Sequence, residues 1–190
     1  MTIDSDSMFD GILDNCKSEY SHDNYIDIVD GKRCLHMDCS GFIHWLLFNM
    51  GYKRALVEAR DFLRRNNFIK INRLYCQDFM FIHEHADKFK YWRFLPDVVE
   101  KCILVVVFPD GNGHCMFVDK IVSHSDNTLS LRVIDSTRYP HKNDTRRVGE
   151  TGIGRGEIEI TKNGMEYIYD SKNDELAPRS SKVYFVLPVK

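Results

Sequence analysis

The stretch His36 to Leu47, HMDCSGFIHWLL, sets a cysteine between an acid and a Ser-Gly pair, at the point where a helical apolar pattern begins. Counted from Cys39, the residues Phe42, Ile43, Leu46, Leu47 and Met50 recur at helical spacing and form one stripe, and Gly51 is a natural stop. Asp38 suits the N-cap, so Cys39 opens the helix. A thiol there meets the unpaired N–H groups and the positive end of the macrodipole, both of which favour thiolate. Ser40 and Gly41 leave the first turn uncluttered for a substrate carbonyl. Asp38 works against this, because a carboxylate near the sulfur opposes its ionisation unless it points away.

Outward from this helix the pattern segregates. Helical spacing continues through 56–66 and 77–92, where Phe79, Ile82, Ala86 and Phe89 share a face. From Ile103 onward the chain reads as short strands: CILVVVFPD, HCMFVDKIVS, LSLRVIDST, GEIEIT, MEYIYD and KVYFVLPV, separated by turn-rich links. The expected fold class is therefore α+β, a helical N-terminal half packed on an antiparallel sheet of about six strands. The unbroken run Ile103 to Phe108 is expected to be the most buried strand. The first thirty residues offer little pattern. With 190 residues and 43% hydrophobic content, one core and a single domain over 1–190 are expected.

The 26 basic and 28 acidic residues are mixed along the chain, which points away from nucleic acid and from an anionic membrane surface. CILVVVF is too short for a bilayer-spanning helix. The six cysteines lack the dense spacing of a disulfide scaffold, and the N-terminal stretch has neither a basic start nor an apolar segment. These features suggest a cytoplasmic protein, or one exported without a cleaved signal peptide.

A free cysteine is most often a small core residue. What raises Cys39 above that is a base and an acid in suitable places. DGNGHCMFV puts His114 at the head of a strand, on one face with Met116 and Val118, where it could reach a helix packed on that face. In LSLRVIDST, Asp135 continues the column of Leu129, Leu131 and Val133, a costly place for an acid unless it is paired. Hydrogen-bonded to His114, it would orient the imidazole. Cys39, His114 and Asp135 thus make a candidate nucleophile, base and orienter. His141, six residues on, is an alternative third member or a loop histidine.

DCSGFIHWLL resembles the nucleophile motif of the NlpC-type cysteine peptidases, a branch of the papain-like clan, and GNGHCMFVDKI after CILVVVF resembles that family's glycine-histidine strand. The similarity covers roughly residues 36 to 137. It implies a papain-like fold and a cysteine hydrolase that cleaves an amide or isopeptide bond of a peptide or protein substrate, cell-wall peptides being the family's usual target. The family's third residue is usually a histidine or an amide; here Asp135 takes the place. The family's tyrosine ahead of the nucleophile has Tyr25 as its nearest candidate and Tyr20 as a second. Asp38, Ser40 and Arg147 complete the candidates for oxyanion and substrate contacts, and no metal or organic cofactor is implied.

HCMFV followed by VIDST is also similar to the histidine and aspartate strands of transglutaminase-like proteins, which would transfer the acyl group to an amine. A catalytically silent binding or effector module is the third reading. Gly152, Gly154 and Gly156 lack the strand-to-helix turn of a phosphate cradle, and a flap edged by Arg146, Arg147 and Arg155 is expected instead. The HEH run His83 to His85 and the pair Cys34 and His36 lack a metal-binding pattern. Cys115 alternates away from His114 and reads as core.

Overall fold

A computed structural model describes residues 9–12, 16–66, 73–161 and 181–190, and the backbone alone of 167–170 and 176–179. The stripe read from Cys39 is helix α1, Cys39–Asn49, with Phe42, Ile43, Leu46 and Leu47 fully buried. Ahead of it, β1 (Cys16–Glu19), β2 (Tyr25–Val29) and β3 (Lys32–His36) form a small sheet in the order β1-β3-β2, with β1 parallel and β2 antiparallel to β3. The helical N-terminal half expected from the sequence is corrected here. These strands are four or five residues long and largely exposed, so no continuous apolar alternation marks them.

Helices α2 (Lys53–Arg65) and α3 (Cys76–Glu84) follow. The single helix expected over 77–92 ends at Glu84 and gives way to a 3₁₀ turn, Ala86–Lys88, and then strand β4, Trp92–Phe94. Long-range hydrogen bonds outweigh helical spacing there. The Glu58 carboxylate accepts from the N–H groups of Lys90 and Tyr91, each at 2.8 Å, and the buried Trp92 indole donates to the Ala55 carbonyl at 2.9 Å.

The remaining strands are β5 (Ile103–Val107), β6 (Gly113–His124), β7 (Thr128–Thr137), β8 (Gly152–Thr161), β9 (Tyr167–Asp170), β10 (Leu176–Arg179) and β11 (Lys182–Pro188). With β4 they form an antiparallel sheet of eight, ordered β10-β9-β8-β7-β6-β5-β11-β4. The six strands read from sequence are all present, and the molecule is α+β. The two extra strands, β4 and β10, are short pieces at the two edges, where pairing needs little side-chain pattern.

Each face of the sheet carries a core. Helices α1 and α3 cover the face of Val105, Cys115, Phe117 and Ile134. Met116, Val118, Leu129, Leu131 and Val133 lie in the second core, on the other face, with Val98 and Cys102. The expectation that α1 packs on the Met116 and Val118 column is therefore corrected: it packs on the opposite face, that of Cys115 and Phe117. Two buried links fix the nucleophile end of α1. The Ser136 hydroxyl of β7 donates to the Met37 carbonyl at 2.5 Å, and the Met37 N–H donates to the Glu19 carbonyl at 3.1 Å. Among the described residues no helix is long and apolar enough to cross a membrane.

Candidate active site

Asp38 is the N-cap of α1 and its carboxylate accepts from the Gly41 N–H at 2.7 Å and the Ser40 hydroxyl at 3.0 Å. Arg73 grips the same carboxylate with both terminal nitrogens, at 2.7 and 2.8 Å, and Asn24 donates to it at 3.2 Å. Burial works to raise the Asp38 pKa, but Arg73 and the Gly41 N–H hold it below the usual carboxylate range. The charge beside the thiol is thus present and already compensated. Gly41 is required by proximity, since a Cβ there would sit 1.6 Å from Asn24 Oδ1.

Cys39, the first residue of α1, is buried and lies among three partners. Its sulfur is 3.9 Å from that of Cys76, which is 3.0 Å from that of Cys115. His114, near the start of β6, is the histidine whose charge bears on the Cys39 thiol. The neighbouring Cys115 and Cys76 thiols, together with the charge of His114, hold Cys39 well below the ordinary thiol range despite its burial. Burial disfavours the His114 imidazolium, but the Cys39 thiolate and Asp135 outweigh it and raise its pKa to about 10. Both shifts act in the direction of a thiolate beside an imidazolium.

His114 Nε2 bonds to Asp135 Oδ2 at 2.5 Å. The same oxygen is 2.9 Å from His141 Nε2, and Asp135 Oδ1 accepts from Arg146 at 2.9 Å. Asp135 is fully buried, which would raise its pKa; His141, Arg146 and His114 hold it well below the usual range instead. Asp144 and the Gly152 carbonyl anchor the other Arg146 nitrogens. His141 and Asp135, alternatives in the sequence reading, therefore belong to one network.

Other candidates move. The glycine run is not the edge of a flap: Gly152, Gly154 and Gly156 lie in β8, and the segment from 138 to 150 folds back over them. A Cβ on Gly154 would meet Arg146 Nε at 2.3 Å, and one on Gly156 would meet His141 Cβ at 2.6 Å. Their bare backbone gives both side chains passage to Asp135. Arg147 is exposed and outside this network, so its neighbour Arg146 supplies the charge at the site. Tyr25 stacks on His36 at 4.3 Å on the outer strand β2. It is Tyr20 whose phenol feels the site, with its pKa raised to about 12 by burial and by the charges of Cys39 and Asp38. Arg73, Cys76 and the role of Cys115 were not foreseen. Arg73 lies in a turn-rich segment without pattern, while Cys76 and Cys115 could have been flagged only by pairing two free thiols across separate elements.

His83 and His85 each have a nitrogen 3.1 Å from a backbone carbonyl, of Phe185 and Phe81. Two groups hold potential metal-ligating atoms within 4.8 Å of one another: His114, Asp135 and His141, and Asp27, Cys34 and His36. At the first, the Arg146 guanidinium on Asp135 opposes a dication. At the second, the His36 nitrogens lie 3.2 Å from Asp27 and 3.3 Å from Glu19. A cleft of about 620 Å³ opens beside the first turn of α1, lined by His22, Asn24, Met37, Trp45, Arg73 and Tyr75 among others.

No family model, no curated protein and no solved structure matches the chain.

Proposed function

We propose that this chain is a papain-like cysteine hydrolase that cleaves an amide or isopeptide bond of a peptide or protein through a thioester. The observation that carries the reading is the pairing of His114 Nε2 with the fully buried Asp135 carboxylate, in a histidine whose charge lowers the pKa of Cys39 at the first turn of α1.

The Cys39 sulfur attacks the carbonyl carbon. The His114 imidazolium then gives its proton to the leaving nitrogen, and the neutral ring activates the water that releases the acid. Asp135 keeps Nε2 protonated and Nδ1 toward the sulfur; Arg146 and His141 keep Asp135 ionised. The Cys39 backbone N–H, in the first turn where helices lack internal acceptors, serves as one oxyanion donor. Tyr20, whose phenol feels the charges of Cys39 and Asp38, is the candidate for the second. The cleft beside α1 takes the substrate, with Trp45 and Tyr75 as apolar walls.

An electrophilic acyl probe tests this. The native chain is expected to be acylated on Cys39, while Cys39→Ala stays folded and unlabelled. Offered a glutamine peptide with a tagged amine, the native chain is expected to release acid and incorporate no tag. Equal labelling of the Cys39→Ala variant would overturn the assignment.

A further inference from the structure

The mechanism uses one of three thiols that lie in contact. Cys76 opens α3 and Cys115 lies in β6, both buried, and all six cysteines of the chain are free. Sulfur contacts of 3.9 Å from Cys39 to Cys76 and 3.0 Å from Cys76 to Cys115 form a chain leading from the nucleophile into the core. A disulfide needs a separation of about 2 Å, so each closure asks for a sulfur shift of about 1 to 2 Å.

We infer that Cys76 and Cys115 are an oxidative modification site that relieves Cys39 of damage by hydrogen peroxide and returns it to the thiol state without an external reductant. The inference rests on the reading of Cys39 as a reactive thiolate. In the first step the Cys39 thiolate attacks a peroxide oxygen. A sulfur–oxygen bond forms, the oxygen–oxygen bond breaks, and the departing hydroxide takes the proton of the His114 imidazolium, leaving a sulfenic acid and water. Cys76 then attacks the Cys39 sulfur, which forms the Cys39–Cys76 disulfide and releases a second water. Finally Cys115 attacks Cys76, its proton passes to His114, and Cys39 leaves as thiolate. The sum is one peroxide and two thiols converted to one disulfide and two waters.

The direction of the last step follows from what surrounds each sulfur. The helix end and His114 stabilise the Cys39 thiolate, which makes it the best leaving group of the three and its disulfide the most oxidising. Burial, and the hydrogen bonds to Cys39 and Cys76, push Cys115 the other way. The disulfide therefore comes to rest on the buried pair.

The test exposes the full, reduced chain to one equivalent of hydrogen peroxide, alkylates the remaining thiols in denaturant and maps the products by mass spectrometry. The native chain is expected to carry a Cys76–Cys115 disulfide with Cys39 alkylated, and to recover acyl-probe capture without reductant. Cys115→Ala should stop at a Cys39–Cys76 disulfide and regain capture only with dithiothreitol. Cys76→Ala should lose capture irreversibly as Cys39 proceeds to sulfinic acid, with Cys76→Ser as the substitute should the alanine variant not fold. In Cys39→Ala the buried pair should oxidise at roughly a tenth of the native rate or less. Equal irreversible loss in the native chain and Cys76→Ala, or equally fast oxidation of the pair without Cys39, overturns the relay. The pH midpoint of iodoacetamide labelling of Cys39 separates the two failures. An ordinary thiol midpoint removes both the enzymatic reading and the relay, whereas a low midpoint without a Cys76–Cys115 disulfide removes the relay alone.

Discussion

Asp38 and Asp135 are both buried carboxylates gripped by an arginine, yet they stand to the nucleophile in opposite ways. Asp38 spends its oxygens on a helix N-terminus, a hydroxyl and the Arg73 fork, so its charge is consumed locally. Asp135 gives one oxygen to Arg146 and presents the other to two imidazoles, so its charge is exported to the base. The same residue type acts as a cap in one place and as an orienter of the base in the other. What faces each oxygen decides the role.

The comparison can be broken most forcibly at Asp135. Asp135→Asn is expected to lower the acylation rate on the order of 10⁴-fold, by favouring the wrong imidazole tautomer. It should also destabilise the fold by about 1 to 3 kcal/mol, because the buried Arg146 loses one of its two carboxylate partners and keeps Asp144. Tyr20→Phe, which removes one proposed oxyanion donor, should cost about 100-fold in the same rate with the fold unchanged.

A pH profile sharpens the distinction. The rate should fall as acid protonates Cys39 below its depressed pKa, and again as base removes the His114 proton near pH about 10. Without the Asp135 charge the alkaline limb should move to lower pH. Stability has its own dependence. Asp38 and Asp135 both have depressed pKa values, so their contribution is complete above about pH 4, the unfolded carboxylate range, and is lost as pH falls through the folded values. His114, with a raised value, contributes fully below about pH 6.5 and loses that contribution as pH rises through about 10. Acid unfolding monitored by circular dichroism should therefore steepen below about pH 4 and flatten in Asp135→Asn.

At the other carboxylate, Asp38→Asn retains a capping side chain and should change the acylation rate by less than about tenfold. Its effect belongs to stability, about 3 kcal/mol measured by urea titration, from the unpaired Arg73. A rate loss as large as that of Asp135→Asn would erase the distinction between cap and orienter. Arg147→Ala should be nearly silent, within about 0.5 kcal/mol, in contrast to its buried neighbour Arg146.

Why some of this was readable in the sequence follows from the range of the interactions involved. The α1 stripe, its Asp38 cap and the six strands read from sequence are set by local periodicity, and they stand where the spacing put them. Cys39, His114 and Asp135 could be nominated because an acid and a base at the ends of apolar columns need partners. The small N-terminal sheet could not be read, since its strands are short and exposed. Nor could the extra strand at Trp92–Phe94, which exists because of Glu58 and the C-terminal strand. The arginine was assigned one residue away from the buried one, because adjacent residues in a loop give no sign of which turns inward. The glycine run was recognised as unusual but misread, because its purpose lies in side chains that come from another segment to rest on it.

Ser136 follows Asp135 directly in β7, and the two side chains leave opposite faces of the strand. One meets the imidazole while the other is bonded to the carbonyl just ahead of α1. The spacing between the two halves of the reaction centre is therefore gauged by a single dipeptide. Sliding of the helical layer across the sheet would have to break that tie before it could misalign the chemistry.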